Sequence, residues 1–199
     1  MKTDKHYLKD GKKFARVTKV LSIIRKPGLE IWRGNVGNEE ADRISTEAAK
    51  IGQDVHTAIM KINKAAMCGG PGPDVDPDIE EIVGKYTAWM EGNVAEILAV
   101  EKTVYNYSYQ YAGTYDFLAV LKDERKPTLF DIKTGKAIDP EVPLQLAAYQ
   151  GGEQGIIGRA AIHLPKDKRK LKVKLYKQED YDYHYRLFLY ALELWRFFN

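Results

Sequence analysis

Three charged residues lie in two neighbouring segments that have the composition of β-strands. Asp116 lies early in one segment, Asp131 lies late in the next, and Lys133 follows two residues later. The turn between the segments is centred near residue 124, so an antiparallel hairpin brings Asp116 and Asp131 side by side, to within about one residue pair. Alternation along a strand puts Asp131 and Lys133 on one face. The spacing therefore predicts two carboxylates and an ammonium group at one strand end.

This arrangement suits the chemistry of a divalent cation. Two carboxylates on adjacent strands repel each other, and Mg²⁺ or Mn²⁺, which prefer oxygen ligands, would relieve the repulsion. Lys133 could then hold or deprotonate an attacking water, or stabilise charge that develops on a phosphate. The alternative is an Asp–Lys ion pair on the surface of a hairpin, and the spacing alone favours neither interpretation.

Two predicted helices carry further candidate residues. Gln145 and Tyr149 are four residues apart on the helix that follows the strand of Asp131, so they share a face that can return over the same sheet edge. His56 lies one turn after Gly52 on a long helix; a glycine there allows close approach of another backbone, and imidazole is a competent metal ligand. Taken singly, each of these residues is more often an ordinary core or surface residue.

The elements that must position these residues follow from hydrophobic periodicity and from turn residues. Besides a short helix at 17–24, capped near Thr18, the order is α-α-β-β-β-α-β-β-α, which predicts one α/β domain over residues 1–199 with a single mixed central β-sheet flanked by helices. The predicted helices span 39–67, 78–97, 141–150 and 180–198. The predicted strands span 98–107, 111–121, 128–133, 157–164 and 170–176.

Aromatic residues recur along the first two predicted strands. If those strands are continuous, alternation places five tyrosines on one face, where they could stack on bases: Tyr105, Tyr107, Tyr109, Tyr111 and Tyr115. Packing of most of them against helices is the favoured alternative.

Composition limits the class of protein. The hydrophobic fraction of 44% and the charged fraction of 30% are ordinary for a soluble globular protein, and no apolar run reaches the length of a membrane span. The first ten residues are charged and lack the apolar core of a secretory signal, so we expect a cytoplasmic protein without membrane contact. Cys68 is the only cysteine, which excludes an internal disulfide and a cysteine-ligated iron–sulfur cluster.

Charge is unevenly distributed although the net charge is only +3. Residues 1–26 contain nine Lys and Arg against two Asp, and residues 164–177 contain seven against one. Such basic segments could follow a phosphate backbone, with an affinity for DNA that weakens as salt is added. Solvated surface lysines are the alternative, and charge alone favours it.

The motifs together resemble the RecB-type branch of the PD-(D/E)XK nuclease superfamily. That branch is marked by Gly-x-x-x-His, Gly-x-x-Asp, Asp/Glu-x-Lys and Gln-x-x-x-Tyr, in that order. The matching segments here are Gly52–His56, Gly113–Asp116, Asp131–Lys133 and Gln145–Tyr149. The resemblance spans roughly residues 14–176, with the core motifs within 44–150, and it includes an opening segment that ends at Trp32.

The resemblance implies a fold, an activity and roles for individual residues. It implies a restriction-endonuclease-like core and a Mg²⁺- or Mn²⁺-dependent deoxyribonuclease, with Asp116, Asp131 and Lys133 as catalytic residues. His56, Asp116, Asp131 and the backbone carbonyl of Ile132 would bind the metal, and Lys133 would position or activate the water. Gln145 and Tyr149 would hold the site and contact the DNA backbone, and we expect both Asp131 and Lys133 to be exposed to the cleft.

The resemblance also bears on partners and on the biological setting. It favours an exonuclease that acts on DNA ends or single strands in phage or bacterial recombination, replication or repair, with a single-strand-binding or recombination protein as a partner. Many relatives carry a glutamate where this chain has Met60, so the resemblance leaves one or two metals open. The alternatives are a non-catalytic DNA-binding or scaffold protein on the same fold, and an unrelated α/β binding module.

Overall fold

The computed structural model describes residues 4–124, 126–153 and 158–199. Residues 1–3 of the basic amino-terminal segment and residue 157 of the predicted strand 157–164 lie outside these ranges. The described helices are α1 (Val17–Val20), α2 (Pro27–Val36), α3 (Asn38–Cys68), α4 (Pro77–Asn93), α5 (Val142–Gly151) and α6 (Tyr181–Phe198). The described strands are β1 (His6–Lys9), β2 (Lys12–Arg16), β3 (Val94–Val100), β4 (Thr103–Asn106), β5 (Tyr111–Thr114), β6 (Phe117–Leu121), β7 (Pro127–Lys133), β8 (Gly158–His163) and β9 (Lys172–Tyr176).

The strands form two sheets, so the prediction of a single central sheet is wrong. A four-stranded sheet has the order β1-β2-β5-β4, and a five-stranded sheet has the order β3-β6-β7-β8-β9. Both sheets are mixed, because β2 and β5 pair in parallel in the first and β7 and β8 pair in parallel in the second. The predicted α/β class is confirmed.

The chain passes between the two sheets at Tyr115 and Asp116, inside the segment predicted as one strand. Tyr115 and Phe117 would share a face of a continuous strand because they are two residues apart, yet Tyr115 is buried in one core and Phe117 in the other. The backbone must therefore turn between them. The other predicted strand, 98–107, breaks beside it at Glu101, whose amide donates a hydrogen bond to the Asp116 carbonyl at 2.8 Å.

The five-stranded sheet is covered by helices on both faces. Phe130 packs on one face in a core that includes Tyr86 of α4 and residues of α3. Leu129 packs on the opposite face in a core that includes Leu146 of α5 and residues of α6. Side chains alternate along β7, so Asp131 is on the same face as Leu129 and is directed towards α5.

Two helix boundaries differ from the prediction. The helix predicted at 78–97 ends at Asn93, whose side-chain amide donates to the Trp89 carbonyl at 2.7 Å, and β3 begins at Val94 and pairs with β6. The short helix predicted at 17–24 is α1 followed by a 3₁₀ turn, and Thr18 lies inside it rather than capping it; Arg16 precedes it without a side-chain cap. Pairing with a neighbouring strand and packing decide these ends, which local signals mark only weakly.

The sequence contains a hairpin that was not predicted. β1 and β2 pair in antiparallel fashion around Asp10 and Gly11, whose φ values are +51° and +72°. Both residues of this two-residue turn have the left-handed backbone that Asp-Gly favours in hairpins. The Asp-Gly pair was therefore the signal that could have revealed β1 and β2 within the basic segment.

The five tyrosines do not form one surface, because the strands that carry them are interrupted. Tyr111 and Tyr115 are buried in the core, whereas Tyr107 and Tyr109 are exposed. Packing of Tyr111 and Tyr115 in the interior agrees with the favoured alternative. Within the described ranges, no helix combines the length and the apolar character that crossing a bilayer requires.

Candidate active site at the β6–β7 hairpin

The hairpin of β6 and β7 brings Asp116 and Asp131 together, as the spacing predicted. Phe117 pairs with Phe130, and continuing this register by one pair places Asp116 opposite Asp131. Oδ2 of Asp116 accepts a hydrogen bond of 2.6 Å from the backbone amide of Ile132. Asp116 is thus held against β7 although it lies just outside β6.

Helix α3 contributes His56 to the same point. Nε2 of His56 lies 2.7 Å from Oδ1 of Asp116. A Cβ atom at Gly52, one turn earlier, would lie only 2.8 Å from the hydroxyl oxygen of Thr134, which directly follows Lys133. The predicted close approach at Gly52 is therefore present, and its neighbour is a side chain rather than a backbone. This approach lets α3 lie against the end of β7.

Helix α5 supplies an amide that joins the acidic and basic groups. Nε2 of Gln145 donates to Oδ1 of Asp131 at 2.9 Å and to the hydroxyl of Tyr149 at 2.8 Å. Oε1 of Gln145 accepts from the Lys133 ammonium at 3.1 Å. The same ammonium lies 2.7 Å from Oδ2 of Asp131. Gln145 therefore fixes both charged residues of the strand, and the sharing of one face by Asp131 and Lys133 is confirmed.

Gly113 has a packing role that sequence reasoning did not find. A Cβ atom built at Gly113 would lie 2.3 Å from Cε1 and 2.9 Å from Cδ1 of Tyr149. The glycine thus leaves the space that the Tyr149 ring occupies, and the ring carries the hydroxyl that holds Gln145. Gly113 belongs to the Gly-x-x-Asp motif and Tyr149 to the Gln-x-x-x-Tyr motif. The presence of both motifs in one chain was the sequence signal that could have indicated this contact.

The residues of the site differ in their solvent exposure. Asp131 is only 3% exposed, Gln145 7% and Tyr149 2%, whereas Lys133 and Asp116 are partly exposed. The expectation that both Asp131 and Lys133 are exposed to a cleft is therefore wrong for Asp131. Gln145 holds Asp131 and Lys133 from the buried side, and Tyr149 in turn holds Gln145. Contact of Gln145 and Tyr149 with DNA stays a prediction, and so does metal binding by the Ile132 carbonyl.

The charged groups shift one another's titration. Burial raises the pKa of Asp131 to about 6; Lys133 opposes this rise and the charge of Asp116 adds to it. Burial acts to lower the pKa of Lys133, but the charge of Asp131, its hydrogen bond with Lys133, and the charges of Asp116 and Asp139 together outweigh burial, and the pKa is raised. The hydrogen bond that His56 donates to the Asp116 carboxylate raises the pKa of His56 in spite of its burial. The site therefore retains protons that the unfolded chain would release.

We expect the stability of the metal-free protein to depend on Asp131 in a defined pH window. A carboxyl whose pKa rises on folding stabilises the folded state below the unfolded value of 3.8, and this contribution is lost as pH rises through about 6. The difference in unfolding free energy between wild type and Asp131→Asn should therefore shift against wild type from pH 4 to pH 7, measured by urea unfolding with chelator. A difference that is constant across this range would contradict the assignment.

Two properties decide whether these residues suit a divalent cation: the type of ligand atom that each offers, and the hydrogen bonds and ion pairs that each already makes. Among the described residues, no group of three or more His, Cys, Asp and Glu side chains has the arrangement of a metal site. His56 bonds to Asp116, and Asp131 pairs with Lys133. The donor types suit Mg²⁺ or Mn²⁺, and Oδ2 of Asp131 is buried with the Lys133 ammonium 2.7 Å away. The donor chemistry fits, provided that His56 and Asp131 exchange these contacts for the ion.

One acidic residue near the site was not predicted. Glu101 has a left-handed backbone with φ of +50°, its amide bonds to the Asp116 carbonyl, and its charge helps to raise the pKa of His56. Its carboxylate pairs with Lys64 of α3 at 2.5 Å. Glu101 lies in the break between β3 and β4, which the sequence did not reveal.

Comparisons with known proteins show a weak structural likeness and no matching family. No protein-family model matches the sequence, and no curated protein matches it either. The chain is similar in structure to SSO0001, known from a crystal structure, with 12% sequence identity and a TM-score of 0.47. The alignment covers 97% of this chain and 79% of that chain. A likeness at this level supports no statement about activity or fold family.

Proposed function

We propose that this chain is a metal-dependent DNA nuclease on a PD-(D/E)XK core, and that it hydrolyses phosphodiester bonds at DNA ends or in single strands. The observation that carries the proposal is the bonded cluster of Asp116, Asp131, Lys133 and Gln145 at the end of β7. Burying ionisable groups this close together costs free energy, and such clusters are concentrated at functional sites.

Each residue has a role that follows from its position. A bound Mg²⁺ or Mn²⁺, held by Asp116 and Asp131 with His56 and the Ile132 carbonyl, would supply Lewis-acid stabilisation of the phosphate. Lys133, which is partly exposed, places its ammonium where it can orient a water and neutralise charge on the phosphoryl oxygens. The water oxygen attacks phosphorus and the bond to the 3′ oxygen breaks, which leaves a 5′-phosphate and a 3′-hydroxyl.

On this proposal, the buried Gln145 does not contact the substrate but positions the charged residues of the site. Gln145 is a positioning residue because it bonds to Asp131, Lys133 and Tyr149 at the same time. Its amide keeps the Lys133 ammonium beside Asp131, so that the charge is placed before substrate binds.

A non-catalytic DNA-binding protein is the second candidate, and one observation favours it. His56 and Lys133 already pair with the two carboxylates, so the site is complete in itself without an ion. On this alternative the cluster would stabilise the fold, and the chain would bind DNA without cleaving it.

The test is digestion of 5′- and 3′-labelled single- and double-stranded oligonucleotides with Mg²⁺, with Mn²⁺ and with chelator. We expect cleavage that requires the metal and that falls at least about a hundredfold in Asp131→Asn. Asparagine keeps the shape of the buried side chain and an oxygen for Gln145, so the variant should remain folded. The product ladder gives the polarity of cleavage.

The matched control is Asp123→Asn, at the exposed turn beyond the opposite end of the same hairpin, which should cleave like wild type. Wild-type rates in Asp131→Asn would show that the assigned centre is wrong. Tight DNA binding without cleavage under any metal would instead establish the non-catalytic candidate.

A further inference from the structure

An open cavity of about 400 Å³ lies between α2 and the first half of α3. Its apolar walls come from Leu29 and Trp32 of α2 and from Ile44 and Ala48 of α3. Neither of the two cores includes Leu29 or Trp32. The surface of Trp32 in this cavity therefore has no role in the packing described above.

Positive charge stands beside the aromatic ring. Lys136, which also lines the cavity, places its ammonium 5.8 Å from the centroid of the Trp32 ring. At this distance the cation–π attraction is weak, and the exposed lysine side chain can move away from the ring. Lys166 reaches the α3 backbone next to the cavity, where it donates to the Ala48 carbonyl. An apolar aromatic wall with cations at its rim suits a flat ring attached to a phosphate chain.

The cavity lies in line with the candidate active site. Ala48, Gly52 and His56 are spaced four residues apart and follow one face of α3. Ala48 lines the cavity, Gly52 adjoins Thr134, and His56 bonds to Asp116. The helical rise places Ala48 about 12 Å from His56, a distance that a few nucleotides span.

We infer that this cavity is a subsite for one unpaired nucleobase of the DNA strand, stacked on Trp32 while Lys136 and Lys166 meet the neighbouring phosphates. The inference rests on the proposed function, and it adds a binding subsite that explains a preference for single strands. Within a duplex both faces of a base are covered by its neighbours, so a subsite that takes a single base selects single-stranded DNA or a frayed end over the interior of a duplex.

The first test measures binding without cleavage, by fluorescence anisotropy of labelled single-stranded oligonucleotides in chelator. Loss of one base–aromatic stack should weaken the affinity of Trp32→Ala about tenfold, whereas Trp32→Phe keeps a ring and should stay close to wild type. The matched control is Ile31→Ala, because Ile31 precedes Trp32 on α2, is 66% exposed and is not part of the cavity wall. Equal affinities for Trp32→Ala and Ile31→Ala would overturn the subsite.

A second measurement locates the base. In a set of oligonucleotides with one abasic nucleotide at successive positions, a single position should weaken binding to wild type and have no further effect on Trp32→Ala. Wild-type binding that is insensitive to every abasic position would also overturn the inference.

The two proposals can fail separately. Loss of affinity in Trp32→Ala, in a protein that never cleaves DNA, would support the subsite and contradict the nuclease. Metal-dependent cleavage with unchanged single-strand binding in Trp32→Ala would contradict the subsite and leave the nuclease in place.

Discussion

Replacing Lys133 with methionine should lower the cleavage rate by about 10²- to 10⁴-fold, the range that loss of a preorganised charge or proton-transfer group produces. Methionine keeps much of the length of the side chain but removes the ammonium that lies beside Asp131 and Gln145. Neither neighbour can replace that charge, because Asp131 is negative and Gln145 is neutral. Single-turnover cleavage of a labelled oligonucleotide measures the effect, with DNA binding measured separately in chelator.

The same change should lower stability, and the experiment must separate the two effects. Without Lys133 the Asp131 carboxylate is buried without a cation, and removing one partner of a buried pair costs about 3–5 kcal/mol when the other stays charged. Protonation of Asp131 limits this cost. Activity is therefore measured well below the melting temperature of the variant.

Lys122→Met is the control for Lys133→Met, since Lys122 directly follows β6 at the far end of the hairpin and contacts the Glu91 carbonyl. It should cleave like wild type. A folded, DNA-binding Lys133→Met protein with wild-type turnover would exclude the proposed role of this lysine.

Gly113→Ala should be among the most destabilising single changes in the chain. The added methyl group would lie 2.3 Å from Cε1 of Tyr149 and 3.2 Å from a methyl group of Val17, both of which are buried. Neither side chain can move into solvent, so the core must expand or the ring must rotate. Overpacking of this kind costs about 1–3 kcal/mol and sometimes more, and we expect the upper end in urea unfolding.

A second readout connects this change to the site. If the Tyr149 ring shifts, its hydroxyl leaves Gln145, which then holds Asp131 and Lys133 less firmly. Cleavage by Gly113→Ala should therefore fall even at temperatures where the protein is folded.

Gly84→Ala provides a matched comparison for Gly113→Ala. Gly84 lies inside α4, and a Cβ atom there would meet nothing within 4 Å. Alanine should stabilise this helix by about 0.5–1 kcal/mol, because glycine loses more backbone freedom on folding. Equal unfolding midpoints for the two alanine variants would show that Tyr149 is not packed as tightly as the structure indicates.

The pairing of Asp116 with Asp131 could be predicted because it depends on local geometry. Both residues are close in sequence to one turn, and the register of a two-stranded hairpin follows from their distances to that turn. The same is true of the shared face of Asp131 and Lys133, and of Gln145 and Tyr149 on one side of α5. These relations need only the strand and helix periods.

The division into two sheets could not be predicted in this way. Tyr115 and Phe117 are both apolar and have the spacing of one strand face, and nothing local shows that they belong to different cores. Which core receives each ring depends on helices far away in the sequence, such as α4 and α6. The hairpin at Asp10 and Gly11 did carry a local signal, but its pairing with β5 did not.

What the sequence alone determined, then, is the set of chemical groups and their order along two neighbouring segments. Tertiary structure decided their environment, because burial and contacts between distant residues have no local signature. It placed His56 against Asp116, 60 residues away, and it buried Asp131 under α5. The space that Gly113 leaves for Tyr149 likewise exists only after β5 and α5 pack together.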